Sequence, residues 1–269
     1  MNYYYTIIIP TFNSAGTLKE CLKSILNQTC SDLEILISDG ASTDATKEVF
    51  ESFNDGRISF FSEPDKGVYD AMNKATGRSS GKWLLFLGSD DTLYTDRVLE
   101  EMKVYLDKTD AHLVYGNVRI VGDSPWAKDG EIYRGKTSLT TLLVNNICHQ
   151  AICYSREIFS GGLRYNPNYR VCSDYDFNLI CASRYKLEYA PVILSHFKTG
   201  GLSSVAEDPA FHRDKWINIV SYFGEKLFDK SFRPYRNAIR QTAQLFVKKA
   251  EYRKAILAIR LYLYYKISK

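Results

Sequence analysis

Several things are scarce in this chain of 269 residues. Its six cysteines (Cys21, Cys30, Cys148, Cys153, Cys172 and Cys181) form no CxxC pair and no Cys/His metal spacing. Neither a disulfide scaffold nor a structural zinc site is expected; reduced thiols packed as small hydrophobes, as in a cytosolic protein, are. Sixteen Gly and seven Pro are too few for a fibrous or low-complexity chain. No apolar run approaches the roughly 18 residues of a membrane span, and no signal peptide is expected ahead of the first strand. No GxGxxG follows that strand, which disfavours a dinucleotide-binding turn, and a P-loop is not expected either.

What is present is a globular composition, 45% apolar, 25% charged and 14% aromatic, with a net charge of +4. That charge is unevenly divided. Residues 1–210 carry 21 Lys/Arg and 27 Asp/Glu, whereas residues 211–269 carry 14 and 4. An acidic body with a basic tail is not the uniform basic face that nucleic acid requires, so no nucleic-acid partner is expected. The length fits one large α/β domain, or one of about 200 residues plus an appendage.

Periodicity supplies the elements. Tyr4–Ile9 is a β-branched run ended by Pro10, and Leu33–Ser38, Ile58–Phe61 and Trp83–Leu87 are three further strands. Leu18, Cys21, Leu22, Ile25 and Leu26 have helical spacing behind a capping-box pattern of Thr17 and Glu20. Helices are also expected through Val49 and Phe50, over Val68–Ala75, near Leu139–Val144 and from Asp174 to Ser183, with strands near Leu113–Val121 and at Ala151–Tyr154. From Ala206 onward the pattern is all helix. Strands alternating with helices mean βαβ units, a mostly parallel sheet, and a ligand crevice at the carboxyl ends of its strands.

Polar residues gather at those ends: Pro10-Thr11-Phe12-Asn13, then Asp39-Gly40-Ala41-Ser42-Thr43-Asp44, then Gly88-Ser89-Asp90-Asp91. Turn and N-cap chemistry accounts for any one cluster; all three on one sheet edge point to a crevice. Two adjacent carboxylates, Asp90 and Asp91, repel unless a cation joins them, and a Mg²⁺-like ion takes one or two carboxylates plus phosphates. Asp39 can accept a hydrogen bond from a base, and Phe12 can offer a stacking face.

These clusters, with Ser62-Glu63-Pro64-Asp65-Lys66-Gly67-Val68-Tyr69-Asp70-Ala71-Met72-Asn73-Lys74, resemble glycosyltransferase family 2 over about residues 5–205, in a branch active in bacterial capsule, exopolysaccharide or O-antigen assembly. The resemblance implies a GT-A fold, α/β with helices on both faces of the sheet, over residues 1–205, and an inverting, metal-dependent transfer from a nucleotide diphosphate sugar. It implies that Pro10 and Phe12 line the base and ribose pocket, Asp39 binds the base (usually uracil), Asp90 contacts ribose or diphosphate, and Asp91 holds Mn²⁺ or Mg²⁺. Ser89 stands where a first Asp is common, so the metal rests mainly on Asp91. Lys66 would touch the donor. Met72 replaces a frequent Arg and inherits no role. Asp174, opening a helix, would be the general base, with Asp176 second in line and Ser173 in place of the usual Glu. His149 would lie near the acceptor, His196 near the diphosphate or metal, and Gly200-Gly201-Leu202-Ser203-Ser204 would form a loop over the donor.

Residues 206–269 read as a basic helical tail. Tyr252, Ile256, Ile259 and Leu263 lie along one stripe of a helix over 245–267, Lys249, Arg253 and Arg260 along another, and Tyr262, Tyr264 and Tyr265 are expected at an interface. Packing on the catalytic domain is one reading; peripheral contact with an anionic membrane, where a polyprenyl-diphosphate-linked acceptor would sit, is the other. A sugar nucleotidyltransferase and a non-catalytic scaffold remain open as alternatives.

Overall fold

Every residue of strand β1 (Tyr5–Thr11) is buried, as befits a β-branched run inside a parallel sheet. The computed structural model describes residues 3–133, 135–201 and 206–267. The other strands are β2 (Leu33–Asp39), β3 (Ile58–Ser62), β4 (Trp83–Phe86), β5 (Thr92–Leu93), β6 (Leu113–Val121), β7 (Ile132–Tyr133), β8 (Ile152–Ser155) and β9 (Leu187–Lys198). They form one sheet in the order β3-β2-β1-β4-β8-β6-β9-β5, with β7 on β6. β1 to β4 are mutually parallel, β8 runs antiparallel between β4 and β6, and β6 and β9 are parallel. The order reverses at β1, and the crevice opens where this topology puts it, beyond the carboxyl ends of β1, β2 and β4.

Period-two alternation sorts side chains to two layers. Ile7, Ile9, Ile35, Ile37, Leu85 and Leu87 pack with α1 (Leu18–Leu26) and, later in the chain, with the helix Val98–Leu106. Ile8, Leu36, Leu84 and Phe86 face the opposite layer. In chain order the short α2 (Thr46–Glu51) connects β2 to β3; α3 (Val68–Thr76) belongs to the second layer, α4 is Val98–Leu106, and α5 (Leu139–Leu142) and α6 (Arg156–Ser160) are short. α7 (Ser173–Arg184), α8 (Pro209–Phe223), α9 (Arg236–Lys248) and α10 (Tyr252–Ile267) complete the second layer. A single buried cluster runs from Ile8 and Leu36 through Tyr69, Phe177 and Phe211 to Leu261 and Tyr265. The change at residue 205 is therefore one of composition and charge, with packing continuous across it.

Several local expectations change. β1 continues through Pro10 to Thr11, paired with Ser38 and Asp39. Its pairing with β4 ends at Ile8↔Phe86, so Pro10 lies beyond the doubly paired stretch, where a missing N–H costs least. The capping box does not form. Thr17 makes no side-chain cap bond; its hydroxyl turns to the Ser14 carbonyl at 3.4 Å, and Glu20 pairs with Lys23 at 2.9 Å. The helix over 245–267 is broken in two: Ala250 adopts φ 57°, and the Glu251 N–H reaches back to the Phe246 carbonyl at 2.9 Å, closing α9 before α10 begins. The tyrosines are not an interfacial set. Tyr265 is fully buried with its hydroxyl donating to the Leu227 carbonyl, Tyr264 packs edge-on to Phe228, and Tyr262 lies under Arg240.

Candidate active site

The polar clusters are tied to one another. Asn13, in the left-handed region at φ 51°, receives the Thr43 N–H at 2.9 Å on its side-chain oxygen, while its own N–H donates to Ser42 Oγ at 2.8 Å. The Ser14 N–H donates to Thr46 Oγ1 at 2.7 Å, and Ser89 Oγ meets Ser14 Oγ at 2.9 Å. One network thus joins the ends of β1, β2 and β4.

Asp39 is the hub of its loop. Its buried carboxylate accepts from Thr11 Oγ1, Ser62 Oγ, the Ser42 N–H and Ser42 Oγ, at 3.0, 2.7, 2.9 and 2.5 Å. Burial pulls its acidity one way and is outweighed by these donors, so its carboxyl titrates below the ordinary range. All four acceptor positions are filled by the chain itself. Next to it Ala41 is held at φ 62°, a strained conformation costing on the order of 1 kcal/mol.

Asp91 is held differently. It is buried, and its two oxygens receive Gln150 Nε2 at 2.9 Å and the Lys198 N–H at 2.8 Å. Burial, with repulsion from Asp90 next, pushes its carboxyl up to about 6 against those two donors. Gly88 makes the arrangement possible, since a Cβ there would meet Asp91 Oδ2 at 2.6 Å and Asp90 Oδ1 at 2.9 Å.

On the far wall, Asp174 sits in the first turn of α7. Oδ1 accepts from Tyr69 Oη at 3.1 Å and from the Tyr175 N–H at 2.8 Å; Oδ2 accepts from Asn146 Nδ2 at 2.9 Å and lies 3.2 Å from His149 Nδ1. Neighbouring Ser173 is fully buried with its hydroxyl unpartnered among the described residues. Asp176 does not share this wall: it faces α8, accepting from Tyr222 Oη at 3.0 Å and Asn218 Nδ2 at 2.9 Å.

A cavity of about 950 Å³ joins these parts. Pro10, Phe12, Lys66, Asp90, Asp91 and His149 all line it, and Phe12 is 65% exposed. Asp39 and Asp174 stand behind the lining. Arg170 and Lys198, which the sequence did not single out, line it together with Tyr69 and Gln150. Gln150 and His149 are adjacent in one short turn, His149–Ala151, so consecutive residues grip Asp91 and Asp174. His196 is displaced from its expected place: it meets Thr92 at 3.3 Å and packs at a tilt against Tyr94, whereas the next residue on β9, Phe197, lines the cavity. Gly201 lines the cavity, and Leu202–Ser204 lie outside the described residues.

The chain does contain P-loop spacing, in Gly130, Gly135, Lys136 and Thr137. The middle of that stretch is itself strand β7, and the Gly135 and Thr137 N–H groups are spent on Asn117 and Tyr115 side chains at 2.6 and 3.0 Å. Among the described residues no strand-to-helix phosphate cradle forms there.

The model of the family described as glycosyl transferase family 2 matches residues 6–161. The chain belongs to that family. A PGL/p-HBAD biosynthesis glycosyltransferase of Mycobacterium tuberculosis is 40% identical over 215 residues, 77% of this chain and 82% of the relative. The Escherichia coli protein named UDP-Glc:alpha-D-GlcNAc-diphosphoundecaprenol beta-1,3-glucosyltransferase WfgD is 32% identical over 124 residues, 46% of this chain and 49% of that protein. Among solved structures, S. aureus TarS in complex with UDP-GlcNAc superposes with a TM-score of 0.67 at 17% identity, covering 85% of this chain and 70% of that one. That likeness is one of fold, and the fold is GT-A, with C-terminal helices added. In this family 2 chain, no helix among the described residues is long and apolar enough to cross a membrane.

Proposed function

We propose that this family 2 glycosyltransferase is inverting, and that it moves a hexose or N-acetylhexosamine from a nucleotide diphosphate sugar, with UDP as the nucleotide, to a sugar hydroxyl of a lipid-linked or oligosaccharide acceptor in surface polysaccharide synthesis. The observation that carries this reading is the His149–Ala151 turn, which holds a donor-side carboxylate, Asp91, and an acceptor-side carboxylate, Asp174, through adjacent side chains on one cavity. An inverting transfer needs that two-sidedness, with a base on the face opposite the departing diphosphate. The names of WfgD, a UDP-Glc enzyme acting on a diphosphoundecaprenol-linked sugar, and of TarS solved with UDP-GlcNAc support the donor and acceptor classes.

On the donor side, Pro10 and Phe12 form the base and ribose wall, Phe12 offering a ring face. Asp39 acts on the base through the loop it organises, and a direct contact requires one of its four donors to give way. Lys66, Arg170 and Lys198, all on the cavity lining, supply positive charge to the diphosphate. The Asp90–Asp91 pair fits Mn²⁺ or Mg²⁺: a buried carboxylate whose acidity is weakened by burial and by an adjacent carboxylate gains from a cation. Asp91 is assigned to the ion and Asp90 to the ribose or diphosphate. When bound, the ion stabilises charge developing on the leaving diphosphate as a Lewis acid.

On the acceptor side, Asp174 is the base, acting through His149. As the acceptor oxygen forms its bond to the sugar C1 and the bond from C1 to the diphosphate oxygen breaks, the hydroxyl proton passes to the Asp174–His149 pair. Asp174 orients the ring, and Tyr69 and Asn146 hold Asp174 in place. The enzyme on this reading works at the cytoplasmic face of the membrane.

The direct test is a thermal-shift panel of UDP-, GDP- and dTDP-sugars with Mn²⁺ or with chelator. A true donor at about 100 times its Kd stabilises the fold by roughly 2.7 kcal/mol. A shift with a UDP-sugar that chelator abolishes is expected, followed by release of the nucleoside diphosphate; no shift with any nucleotide sugar overturns the reading.

A further inference from the structure

Helix α10 is apolar on two opposite sides. Ala255, Ala258, Leu261 and Tyr265 are buried against the body. Tyr252, Ile256, Ile259, Leu263 and Ile267 face away and are 62, 59, 47, 50 and 78% exposed. Steps of four, three, four and four residues put these five on one stripe, roughly 22 Å long at 1.5 Å per residue. A helix that covers a core on one side normally shows polar residues on the other. A contiguous outer stripe of Ile, Leu and Tyr marks a surface built to be covered.

Charge identifies the cover. On the helical wheel Arg253 and Arg260 border the stripe on one side and Lys266 on the other. Arg260 lies 3.6 Å from Glu225 and is still 60% exposed. α10 itself has no acidic residue, and residues 230–267 carry ten Lys/Arg against the single acid Glu251. A second copy of the chain packed on this stripe would set Arg253 and Arg260 of both copies along one seam, like charge against like. A nucleic acid offers phosphates to the arginines and nothing to five aliphatic and aromatic side chains. An anionic lipid surface satisfies both, with headgroup phosphates at the border and acyl chains under the stripe.

We propose that the outer face of α10 docks on an anionic bilayer, with the helix lying in the plane of the headgroups. The purpose of the contact rests on the lipid-carried acceptor proposed above; the face itself is independent of it.

The test uses the full chain and extruded vesicles of phosphatidylcholine, either alone or with roughly a third phosphatidylglycerol, in co-sedimentation. Binding to the anionic vesicles at least about tenfold tighter than to the neutral ones, weakened by salt, is expected. The double variant Ile256→Asp, Leu263→Asp should lose that binding while keeping the melting temperature and the thermal shift with a UDP-sugar. Should it melt early, Arg253→Gln with Lys266→Gln leaves the apolar stripe alone and should reduce the anionic preference by about tenfold or more. Two results overturn the proposal: wild-type chain that ignores anionic vesicles, and a dimer in sedimentation velocity that the aspartate pair dissolves. Vesicle binding without transfer to any lipid-linked acceptor would sink the acceptor reading and leave the docking face standing.

Discussion

Charge is handled in opposite ways in the two halves of this molecule. At the carboxyl ends of β1, β2 and β4 the negative side chains are inside. Asp39 and Asp91 are each less than 5% exposed and held by donors from distant parts of the chain. In α9 and α10 the positive side chains are outside, and the buried contacts are nearly all apolar. A carboxylate withdrawn from water and held by hydrogen bonds has a fixed geometry and a large stake in any cation or proton that reaches it. A lysine or arginine left on a helix surface has little geometry and suits a partner that is itself diffuse and charged. The contrast separates the candidate chemical site from the proposed docking face within one continuous core.

The most severe way to break the cleft side of this contrast is to remove Asp91. Asp91→Ala should lower cation-dependent transfer on the order of 10³-fold, read as the rate of nucleoside diphosphate release with Mn²⁺; unchanged turnover in chelator would remove the ion from the scheme. Next comes the acceptor wall. Asp174→Asn should cut kcat by about 10²-fold or more while leaving the UDP-sugar thermal shift in place, and a wild-type rate would move the base elsewhere.

Within the docking half, the two faces of α10 can be set against each other. Leu261→Ala, on the buried side, should cost about 2–5 kcal/mol in urea unfolding. Ile256→Ala, one turn away on the outer side, should stay within about 0.5 kcal/mol. Equal losses would mean that the outer stripe is packed after all.

The smallest effect tests a buried carboxylate, Asp176, that does not line the cleft. Burial, with the charge of Asp214 adding to it, raises the Asp176 carboxyl to about 6 against hydrogen bonds from Tyr222 and Asn218. Between the ordinary carboxylate value and 6 the folded chain holds a proton that the unfolded chain has lost, so stability falls as pH rises through that window and stays lowered above it. Asp176→Asn should therefore stabilise the protein by about 1–3 kcal/mol near pH 7.5 and by nothing near pH 4. A gain that is equal at both values would tie it to packing and not to charge.

Much of the architecture is legible along the chain because its signals are local. β1, β2 and β4 announce themselves by buried β-branched and apolar runs, and α1 by its apolar spacing. α4 is easily missed, since Arg97 stands at its N-terminus without a capping side chain, and β5 and β7 are two residues each. At the site, Pro10, Phe12, Asp90 and Asp91 stand out because they end strands. The partners of the carboxylates do not: Gln150 reaches Asp91 across 59 residues and Tyr69 reaches Asp174 across 105. Nothing in either neighbourhood marks them as a pair.

The sequence by itself determined where strands give way to helices, which polar residues collect at strand ends, and that the acidic and basic residues are divided between body and tail. Each of these is set by short-range periodicity or composition. Tertiary structure alone decided that Asp39 is saturated by its own loop, that Asp174 stands behind His149, and which side of α10 is left bare. Tyr252, Ile256, Ile259 and Leu263 look as suited to a core as Ala255, Ala258, Leu261 and Tyr265. Only packing against the body, where the two alanines admit close approach, chose the second set for burial and left the first to face outward.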